Sequence, residues 1–380
     1  MKLLFCIPTL GDGGAERQLS YLGAQLAQMG HEVHVVSSRG GSNVSRLRSA
    51  GVKWHCLGGV CNWNPLIFFR LVLLLRRLRP DLVQTILTPM DIMAGAAALL
   101  TRTPWILKES SSAPLYSASL RYRWRTFLGR RADGIVCNSA GGSAYWRSVG
   151  AARVLGDIRN GVPLDEIDKV ENRLPARLTA KGNAKVLLFA GRLDEGKNVD
   201  NLLEALSRLA HRLNFVAFIC GDGPRRGHLE LLARKLGIAN RLIFTGYVQN
   251  LWTTMKGVDA VISLSRFEGC PNVVMEAMAC GAPLIVSDIQ AHRELLDDTA
   301  ALFVDPEDPE ASARAIAEAL HCREATKARA QVALARASAW TVETTAQQYE
   351  RMYLRLLSSA LDFHAISVAS NTQCAQENET

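Results

Sequence analysis

The sequence predicts an α/β protein built from two doubly wound parallel sheets. Strand-like apolar segments alternate with helical segments along the chain, which is the pattern of βαβ units. The alternation stops in a turn-rich passage near 163–183 and then starts again. The chain has 380 residues, which is too long for one comfortable core and suits two domains.

The first half supplies the strands of the first predicted sheet. KLLFCIPTL at the start is followed by a helical segment from about Ala15 to Met29 and then by the strand HEVHVVS. Three later segments are also strand-like, with helical stretches between them: DLVQTIL, PWILKE and GIVCNS. The first run resembles a signal peptide only briefly, because it is short and meets GDGGAE without a small-residue cleavage site. We therefore interpret it as a first strand.

The second half repeats the pattern with KVLLFAG, FVAFICGDG, LIFTGYV, AVISLS and LIVSD. The amphipathic segment TVETTAQQYERMYLRLL (341–357) predicts a final helix that packs back on the first domain. The predicted division is a Rossmann-like domain over 1–165, a second over 166–340, a crossover helix over 341–362 and a polar, disordered tail over 363–380.

Composition indicates an ordinary globular protein of the cytoplasm. Charged residues make up 21% of the chain and apolar residues 48%. The nine cysteines follow no CxxC or Cys/His metal spacing, and Cys6, Cys137 and Cys220 lie in apolar, strand-like runs. This usage is typical of reduced core cysteines in the cytosol. No apolar run reaches the length of a membrane-spanning helix.

The net charge of +8 is unevenly distributed. WNPLIFFRLVLLLRRLRP (63–80) and RYRWRTFLGRR (121–131) both combine arginines with aromatic and aliphatic residues. One interpretation is a face that rests on anionic lipid, peripheral on the inner face of the cytoplasmic membrane. The other is a sheet-covering helix with arginines at its solvated rim, which explains 63–80 at least as well. Two such segments in one half favour the membrane, and no recognised motif supports nucleic-acid binding.

The stretch SRFEGCPNVVMEAMACGAPLIVSD (265–288) predicts a loop, a helix and a strand after the buried strand VISLS. Its Pro-Asn pair suits a helix entry, whereas Gly281 and Pro283 end the helix. Glu268 then lies on the loop and Glu276 in the first helical turns. Both carboxylates are predicted to face the crevice at the carboxyl end of the strand, where open α/β sheets bind ligands.

A second loop carries two cations. FAGRLDEGKNVDNLLEAL (189–206) places Arg192 and Lys197 between a strand and a helix. Two cations at such a position neutralise a diphosphate that gains charge as it leaves. The alternative is a pair of solvated loop charges.

The remaining motifs exclude several kinds of catalytic or cofactor site. GDGGAE (11–16) opens a helix after the first strand and forms either a cradle of backbone amides or simply a tight turn. It is not the dinucleotide fingerprint, since Glu16 stands where the third glycine belongs. HEVH (31–34) lacks the histidine spacing of a zinc helix, and the sequence contains neither an Asp-x-Asp pair nor a G-x-S-x-G elbow. We therefore expect no metal.

Taken in order, GGAER, GRLxxxK, GDGP, FTGYV and E-G-x-P-x4-E-A-M-A-x-G-x-P resemble the motifs of retaining glycosyltransferases with the GT-B fold. The chain is most similar to family 4, whose bacterial members assemble surface polysaccharides, and the resemblance spans about residues 1–355. It implies two Rossmann-like domains facing a cleft and no cofactor. It further implies transfer of a hexose or N-acetylhexosamine from a nucleotide-diphosphate sugar to a saccharide acceptor. A UDP-sugar is the favoured donor, and the acceptor is expected to be lipid-linked.

The resemblance also implies roles for individual residues. Glu276 binds the ribose hydroxyls, Glu268 lies by the donor sugar, and Arg192 and Lys197 hold the diphosphate. The other implied donor-binding positions are glycines and loop residues: Gly13, Gly14, Gly221, Gly269, Cys270, Pro271, Asn272 and Val273. In such enzymes the leaving phosphate takes the acceptor's proton while an oxocarbenium-like sugar is stabilised, so that no side-chain nucleophile is required.

The chain departs from this pattern in two places. Many relatives place a histidine at the end of the strand that corresponds to PWILKE, whereas this chain has Glu109, followed by Ser110 and Ser111. Glu109 is our candidate catalytic residue on the acceptor side, and a solvated strand end explains it equally well. The loop AHRELL (291–296) lacks the paired glycines common after the last strand, which predicts altered donor specificity there.

Two rival functions remain at this point. One is a nucleotide-sugar 2-epimerase on the same architecture, which would need acid/base groups from both domains, and the sequence shows no convincing set. The other is a non-catalytic sugar-nucleotide-binding protein. The intact pairs Glu268/Glu276 and Arg192/Lys197 argue against the second.

Overall fold

The structure is a computed structural model, and it describes residues 1–59, 62–111, 119–171 and 184–358. The chain forms two compact units, Met1–Gly161 together with the segment from Val342 onward, and Val162–Thr341. The first unit ends ahead of the predicted division after 165, because the Val162 amide donates to the carbonyl of Trp340 at 2.7 Å. The predicted tail over 363–380 lies outside the described residues.

Within the described residues, the first unit contains a sheet of seven parallel strands in the order β3-β2-β1-β4-β5-β6-β7. The order reverses between β1 and β4, which makes their carboxyl ends the topological switch point. The strands are β1 Lys2–Cys6, β2 Glu32–Ser37, β3 Lys53–Cys56, β4 Leu82–Ile86, β5 Trp105–Glu109, β6 Gly134–Cys137 and β7 Val154–Asp157.

The sheet of the second unit has six described strands, also parallel, in the order β10-β9-β8-β11-β12-β13. Here the order reverses between β8 and β11, which pair directly. The strands are β8 Lys185–Ala190, β9 Phe215–Cys220, β10 Leu242–Gly246, β11 Ala260–Ser263, β12 Leu284–Ser287 and β13 Leu302–Val304. The prediction of two doubly wound parallel sheets is confirmed.

Helices connect the strands in both units. Those of the first unit are α1 Gly14–Gln28, α2 Val44–Ser49, α3 Pro65–Leu78, α4 Thr88–Thr101, α5 Leu120–Gly129 and α6 Ala140–Ser148. Those of the second unit are α7 Leu164–Asp168, α8 Val199–Leu209, α9 Arg226–Lys235, α10 Trp252–Met255, α11 Asn272–Ala279, α12 Gln290–Arg293, α13 Pro309–His321 and α14 Arg323–Ala337. The last described helix, α15, spans 342–358.

Each sheet is covered on both faces, so each central strand buries alternate side chains in opposite cores. In β8, Leu187 and Phe189 belong to the core under α8 and α13, whereas Val186 and Leu188 pack with α11. This double burial explains why the central strands appear in the sequence as continuous apolar runs.

The final helix α15 packs on the first unit. Its Tyr349 and Tyr353 are buried in the same core as β1 and β4. The Tyr353 hydroxyl donates to Oε1 of Gln84 at 2.6 Å. The prediction that this helix packs back on the first domain is confirmed.

Candidate functional site

Two loops of the second unit meet at its switch point. One follows β8 and contains Arg192 and Lys197, and the other follows β11 and contains Glu268. Strands β8 and β11 are hydrogen-bonded neighbours, with Val261 opposite Leu188. Their carboxyl ends therefore lie side by side at one edge of the sheet. This is the position at which open α/β sheets bind ligands.

The loop after β8 is held in a single shape by its own side chains. The carboxylate of Asp194 accepts from the Lys197 amide at 3.2 Å and caps the short 3-10 turn Glu195–Lys197. Asn198 has a left-handed backbone with φ of 54°, and its buried amide group donates to the carbonyl of Pro306 at 2.6 Å. Asparagine tolerates that conformation better than most residues. Lys197 therefore projects from a fixed turn.

Lys197 and Glu268 join the two loops. The Lys197 ammonium contacts Oε1 of Glu268, and the Ser265 hydroxyl donates to the same oxygen at 2.8 Å. Burial alone raises the pKa of Glu268, but the charge and hydrogen bond of Lys197 outweigh it and hold this pKa below its usual range. Glu268 is therefore a carboxylate at neutral pH, with 13% of its side chain exposed.

Arg192 is placed differently from Lys197. Its side chain is 71% exposed, and its Nε lies 3.6 Å from the Asp194 carboxylate. An ion pair of this length at the surface constrains the guanidinium weakly. The two predicted diphosphate-binding cations thus share one loop, but one is held by Glu268 and the other extends into solvent.

Glu276 lies on α11 and is buried, with 4% of its surface exposed. The indole N–H of Trp252, on α10, donates to its Oε2 at 2.9 Å. Helix α11 begins at Asn272, directly after Pro271, so its first backbone amides have no partner inside the helix. Glu276 is therefore a fixed, desolvated acceptor on the helix whose start follows the Glu268 loop.

The other predicted donor-binding residues of this unit lie along the same edge. Gly269, Cys270 and Pro271 form the link into α11, and Asn272 and Val273 are its first two residues. Gly221 follows β9 with φ of 133°, and a Cβ there would lie 1.8 Å from the Gly191 carbonyl oxygen. Glycine at 221 therefore has a structural reason, namely the close approach of two strand-end loops.

In the first unit, Gly13 and Gly14 start helix α1 after β1, at the switch point of that sheet. The Thr9 hydroxyl donates to Oε1 of Glu16 at 2.9 Å. The Glu16 carboxylate packs so closely on Gly13 that a Cβ at 13 would lie 2.2 Å from its Oε2. The glycine loop is thus shaped by Glu16, the residue that stands in place of a third glycine.

Glu109 ends β5 and is buried, so the alternative of a solvated strand end is wrong. Its carboxylate accepts from the Trp146 indole at 2.9 Å and from the Ser111 amide at 3.0 Å. The Arg125 guanidinium lies 2.7 Å from Glu109 and also 2.7 Å from Asp91. Glu109 belongs to a buried charge network, and its role toward an acceptor remains a prediction.

Two site residues were absent from the sequence prediction: Trp252 and Ser265. Ser265 lies two residues after the end of β11, and its position just beyond a strand end was the available signal. Trp252 lies 24 residues from its partner Glu276, and local spacing gave no sign of the contact. Among the described residues, no group of three or more His, Cys, Asp or Glu side chains is arranged to hold a metal ion.

A separate surface lies on helices α3 and α5 of the first unit. Helix α3 packs its inner face on the sheet, and α5 packs on α4. Both expose apolar side chains at helical spacing: Leu66, Phe69 and Leu73 on α3, and Leu120, Trp124 and Phe127 on α5. The Arg121 guanidinium lies 4.5 Å from the centre of the Trp63 ring, which brings the starts of the two helices together. We call these six side chains the outer stripes. Within the described part of the chain, no helix is long and apolar enough to cross a bilayer.

Two family models match the chain. The model "Glycosyltransferase Family 4" matches residues 12–166, and "Glycosyl transferases group 1" matches residues 170–335. Each match falls almost entirely within one of the two compact units. Together they cover most of the described chain.

Individual relatives agree with the models. A lipopolysaccharide core biosynthesis glycosyltransferase, LpsE, from Rhizobium meliloti is 26% identical over 318 residues, which are 80% of this chain and 85% of the relative. An α-1,4-N-acetyl-D-galactosaminyltransferase from Campylobacter jejuni is 29% identical over 73% of this chain and 77% of the relative. Its name gives a PP-undecaprenol-linked saccharide as the acceptor.

The fold is also found in solved structures. The crystal structure of HepE from Anabaena in complex with UDP-glucose superposes with a TM-score of 0.82 and 22% identity. The match covers 94% of this chain and 100% of that one. At this level of identity the likeness concerns the fold.

Proposed function

The chain belongs to the family 4 glycosyltransferases with the GT-B fold, and we propose that it moves a hexose or N-acetylhexosamine from a UDP-sugar to a lipid-linked saccharide with retention of configuration. The Rhizobium relative, named for lipopolysaccharide core biosynthesis, supports a place in the synthesis of a surface polysaccharide. The Campylobacter relative, named for an undecaprenol-linked acceptor, supports the choice of a lipid-linked acceptor. The UDP-glucose complex of HepE supports the choice of donor.

The observation that carries this proposal is the contact of Lys197 with Glu268 at the switch point, beside the start of α11. A cation, a carboxylate and the N-terminus of a helix lie on loops that follow neighbouring strands at the carboxyl edge of the sheet. A diphosphate suits the cation and the amides, and a sugar suits the carboxylate. Glu276, fixed by Trp252, supplies the acceptor for ribose hydroxyls.

In the proposed mechanism the leaving diphosphate gains negative charge while the sugar gains positive charge. Lys197, together with the more exposed Arg192, stabilises the negative charge on the diphosphate, and the Glu268 carboxylate stabilises the positive charge on the sugar. The departing phosphate oxygen takes the acceptor's proton on the same face of the sugar, so the new bond forms where the old one breaks. Because the pKa of Glu268 is lowered, this carboxylate is charged throughout the neutral range.

The test is a panel of nucleotide sugars incubated with the protein and with membranes that contain lipid-linked oligosaccharides. We expect one donor, a UDP-sugar, to label the lipid fraction, with the donor's anomeric configuration preserved in the product when read by NMR. An inverted product would contradict retention. Conversion of the donor without any acceptor would favour the 2-epimerase, and binding without turnover would favour a non-catalytic protein.

Metal independence is part of the same proposal, since two cations and a helix N-terminus take the place of a divalent ion. Transfer is expected to persist in excess chelator. Loss of activity in chelator, with rescue by magnesium or manganese, would contradict it.

We also propose that the outer stripes and their flanking arginines rest on an anionic membrane surface. The exposure of six large apolar side chains on two adjacent helices favours this over a simple sheet cover. The protein should float with anionic vesicles and be released in large part by high salt, because exposed charge contacts are screened. Equal flotation with neutral vesicles would contradict the electrostatic contribution.

A further inference from the structure

His292 is a buried polar side chain next to the candidate site, on the short helix α12 that follows β12. Its side chain has no exposed surface. The imidazole Nδ1 lies 2.9 Å from the carbonyl oxygen of Ser287 and 3.2 Å from the Ser287 hydroxyl. A leucine would fill the same volume without a polar atom, so the hydrogen bonds are the feature to explain.

These contacts fix the tautomer of the ring. A carbonyl oxygen only accepts hydrogen bonds, so Nδ1 of His292 carries the proton and donates it to Ser287. Burial lowers the pKa of His292 below its usual range, although the nearby Glu268 carboxylate acts in the opposite direction. The ring is therefore neutral at neutral pH, with a bare Nε2 that has no hydrogen-bond partner among the described residues.

A chain of hydrogen bonds leads from this imidazole to Glu268. The Ser287 hydroxyl donates to the carbonyl of Ser265 at 2.5 Å, and the Ser265 hydroxyl donates to Oε1 of Glu268 at 2.8 Å. That oxygen is also the one that Lys197 contacts. Because β11 and β12 are paired strands, the ends that carry Ser265 and Ser287 are held side by side.

The ion pair between Glu268 and Lys197 also depends on the neutral charge state of the His292 ring. The residues whose charges act on His292 are Glu268 and Lys197. An imidazolium at this position would attract the Glu268 carboxylate and compete with Lys197 for it. A neutral, buried ring leaves the carboxylate paired with Lys197 and oriented by Ser265.

We propose that His292 is a positioning residue for Glu268, which holds the ends of β11 and β12 so that the carboxylate stays in place against the donor sugar. The proposal rests on the glycosyl transfer proposed above, in which Glu268 faces the reacting sugar. Displacing a reacting group by about 1 Å costs up to about 100-fold in rate. A positioning residue therefore acts on turnover without touching substrate.

Two variants separate positioning from simple filling of the core. His292→Asn keeps an N–H that can reach the Ser287 carbonyl, whereas His292→Leu keeps only volume. We expect His292→Leu to lower kcat by about 10- to 100-fold while the Kd for UDP stays unchanged, and His292→Asn to recover most of that loss. Equal rates for the wild type and His292→Leu, or equal losses for both variants at equal thermal stability, would overturn the proposal.

Two further measurements cover the remaining outcomes. If His292→Leu does not fold, Ser287→Ala interrupts the same chain one link further along and should lower kcat in the same way; an unchanged kcat there would overturn the proposal. NMR of the wild-type protein labelled with ¹⁵N-histidine reports the tautomer without any turnover, and a proton on Nε2 instead of Nδ1 would also overturn it. If the wild type transfers no sugar while the Nδ1 tautomer is present, the proposed glycosyl transfer is wrong, whereas the hydrogen bond from His292 to Ser287 is confirmed.

Discussion

At the scale of single residues, the two glutamates of the candidate site have different surroundings. Glu268 shares its Oε1 between a lysine and a serine hydroxyl and is partly exposed. Glu276 is almost fully buried and accepts from an indole N–H. A buried, fixed acceptor suits a contact that is present throughout the reaction, whereas a carboxylate beside a cation suits a charge that develops in the transition state.

We predict that Glu276→Ala weakens the binding of UDP and of the UDP-sugar alike. The expected loss is about 1.5–3 kcal/mol, the range for a hydrogen bond that involves a charged group. Calorimetry with UDP measures it directly, and thermal unfolding checks that the variant is folded. UDP binding as tight as in the wild type would show that the ribose assignment is wrong.

Glu268→Gln is the matched comparison, since it removes a charge but keeps the side chain's shape. We predict that kcat falls while UDP binding is unchanged, as expected for an interaction that strengthens in the transition state. Steady-state kinetics and the same calorimetry test both parts. A loss confined to KM would place Glu268 in ground-state binding instead.

Asp91 gives a prediction about pH. Burial raises its pKa from 3.8 to about 6, and the Arg125 charge opposes the shift. The folded protein therefore binds a proton that the unfolded chain releases between these two values. The contribution of Asp91 to the free energy of unfolding is fully present below pH 3.8 and is lost as the pH rises through about 6.

The test of this pH dependence is Asp91→Asn, which should abolish that part of the slope. Urea unfolding of both proteins between pH 4 and 7 measures it, with the exposed Glu324→Gln as the control that leaves the slope intact. Parallel profiles for the wild type and Asp91→Asn would contradict the assignment.

The sequence predicted the positions of these residues better than their partners. Strand-end loops and a helix start placed Lys197, Glu268 and Glu276 at one edge of a sheet. However, Lys197 and Glu268 are 71 residues apart in the chain, and their contact depends on the pairing of β8 with β11. The burial of Glu109 depends likewise on Arg125 and Trp146, which arrive from other elements. Local patterns carry no information about such partners.

At the scale of elements, the two basic segments form helices α3 and α5. The sequence allowed either a sheet-covering helix or a membrane-facing surface for them, and α3 has features of both. The inner face of α3 packs on the first core through Ile67, Leu71 and Leu75, as a sheet-covering helix does. Its outer face exposes Leu66, Phe69 and Leu73, the latter two at 61% and 65%. Core packing therefore explains one face of the helix and leaves the other without a function inside this unit.

We predict that Phe69→Ser combined with Trp124→Ser lowers flotation with anionic vesicles while the stability of the protein is unchanged. Both side chains are exposed, so their loss removes apolar area from the membrane contact and leaves the core intact. Leu231→Ser is the control, since it is exposed to a similar degree on α9 of the second unit. An equal effect of the control would indicate non-specific adsorption.

The strands that the sequence did not predict share one property. β3, β7 and β13 each lie at an edge of their sheet and are three or four residues long. Their side chains are mostly half-exposed or exposed. The segments KWHC and VLGD lack the continuous apolar run of the central strands, and LFV is only three residues long. Edge strands acquire their structure from a neighbour, so a local pattern indicates them poorly.

At the scale of the whole molecule, the chain returns to its first unit after completing the second. The chain passes from the first unit to the second between Gly161 and Val162. The side chain of Gln18, in the first unit, donates one hydrogen bond to the backbone of Gly161 and accepts another from it, at 3.0 and 3.1 Å. After the second unit, Tyr349 and Tyr353 of α15 complete the first core. The first unit therefore lacks part of its core until residues 342–358 have been made.

We predict that Tyr353→Ala destabilises the first unit by about 3–5 kcal/mol, the range for removing a large buried aromatic side chain. Part of that cost comes from Gln84, which loses the hydroxyl donor to its buried Oε1. Tyr353→Phe removes only the hydroxyl and should cost about 1–3 kcal/mol. Hydrogen exchange followed by mass spectrometry reads the two units separately, and the loss of protection should be confined to β1, β4 and their neighbours in the first sheet. Equal loss of protection in β8 and β11 would contradict the assignment of α15 to the first unit alone.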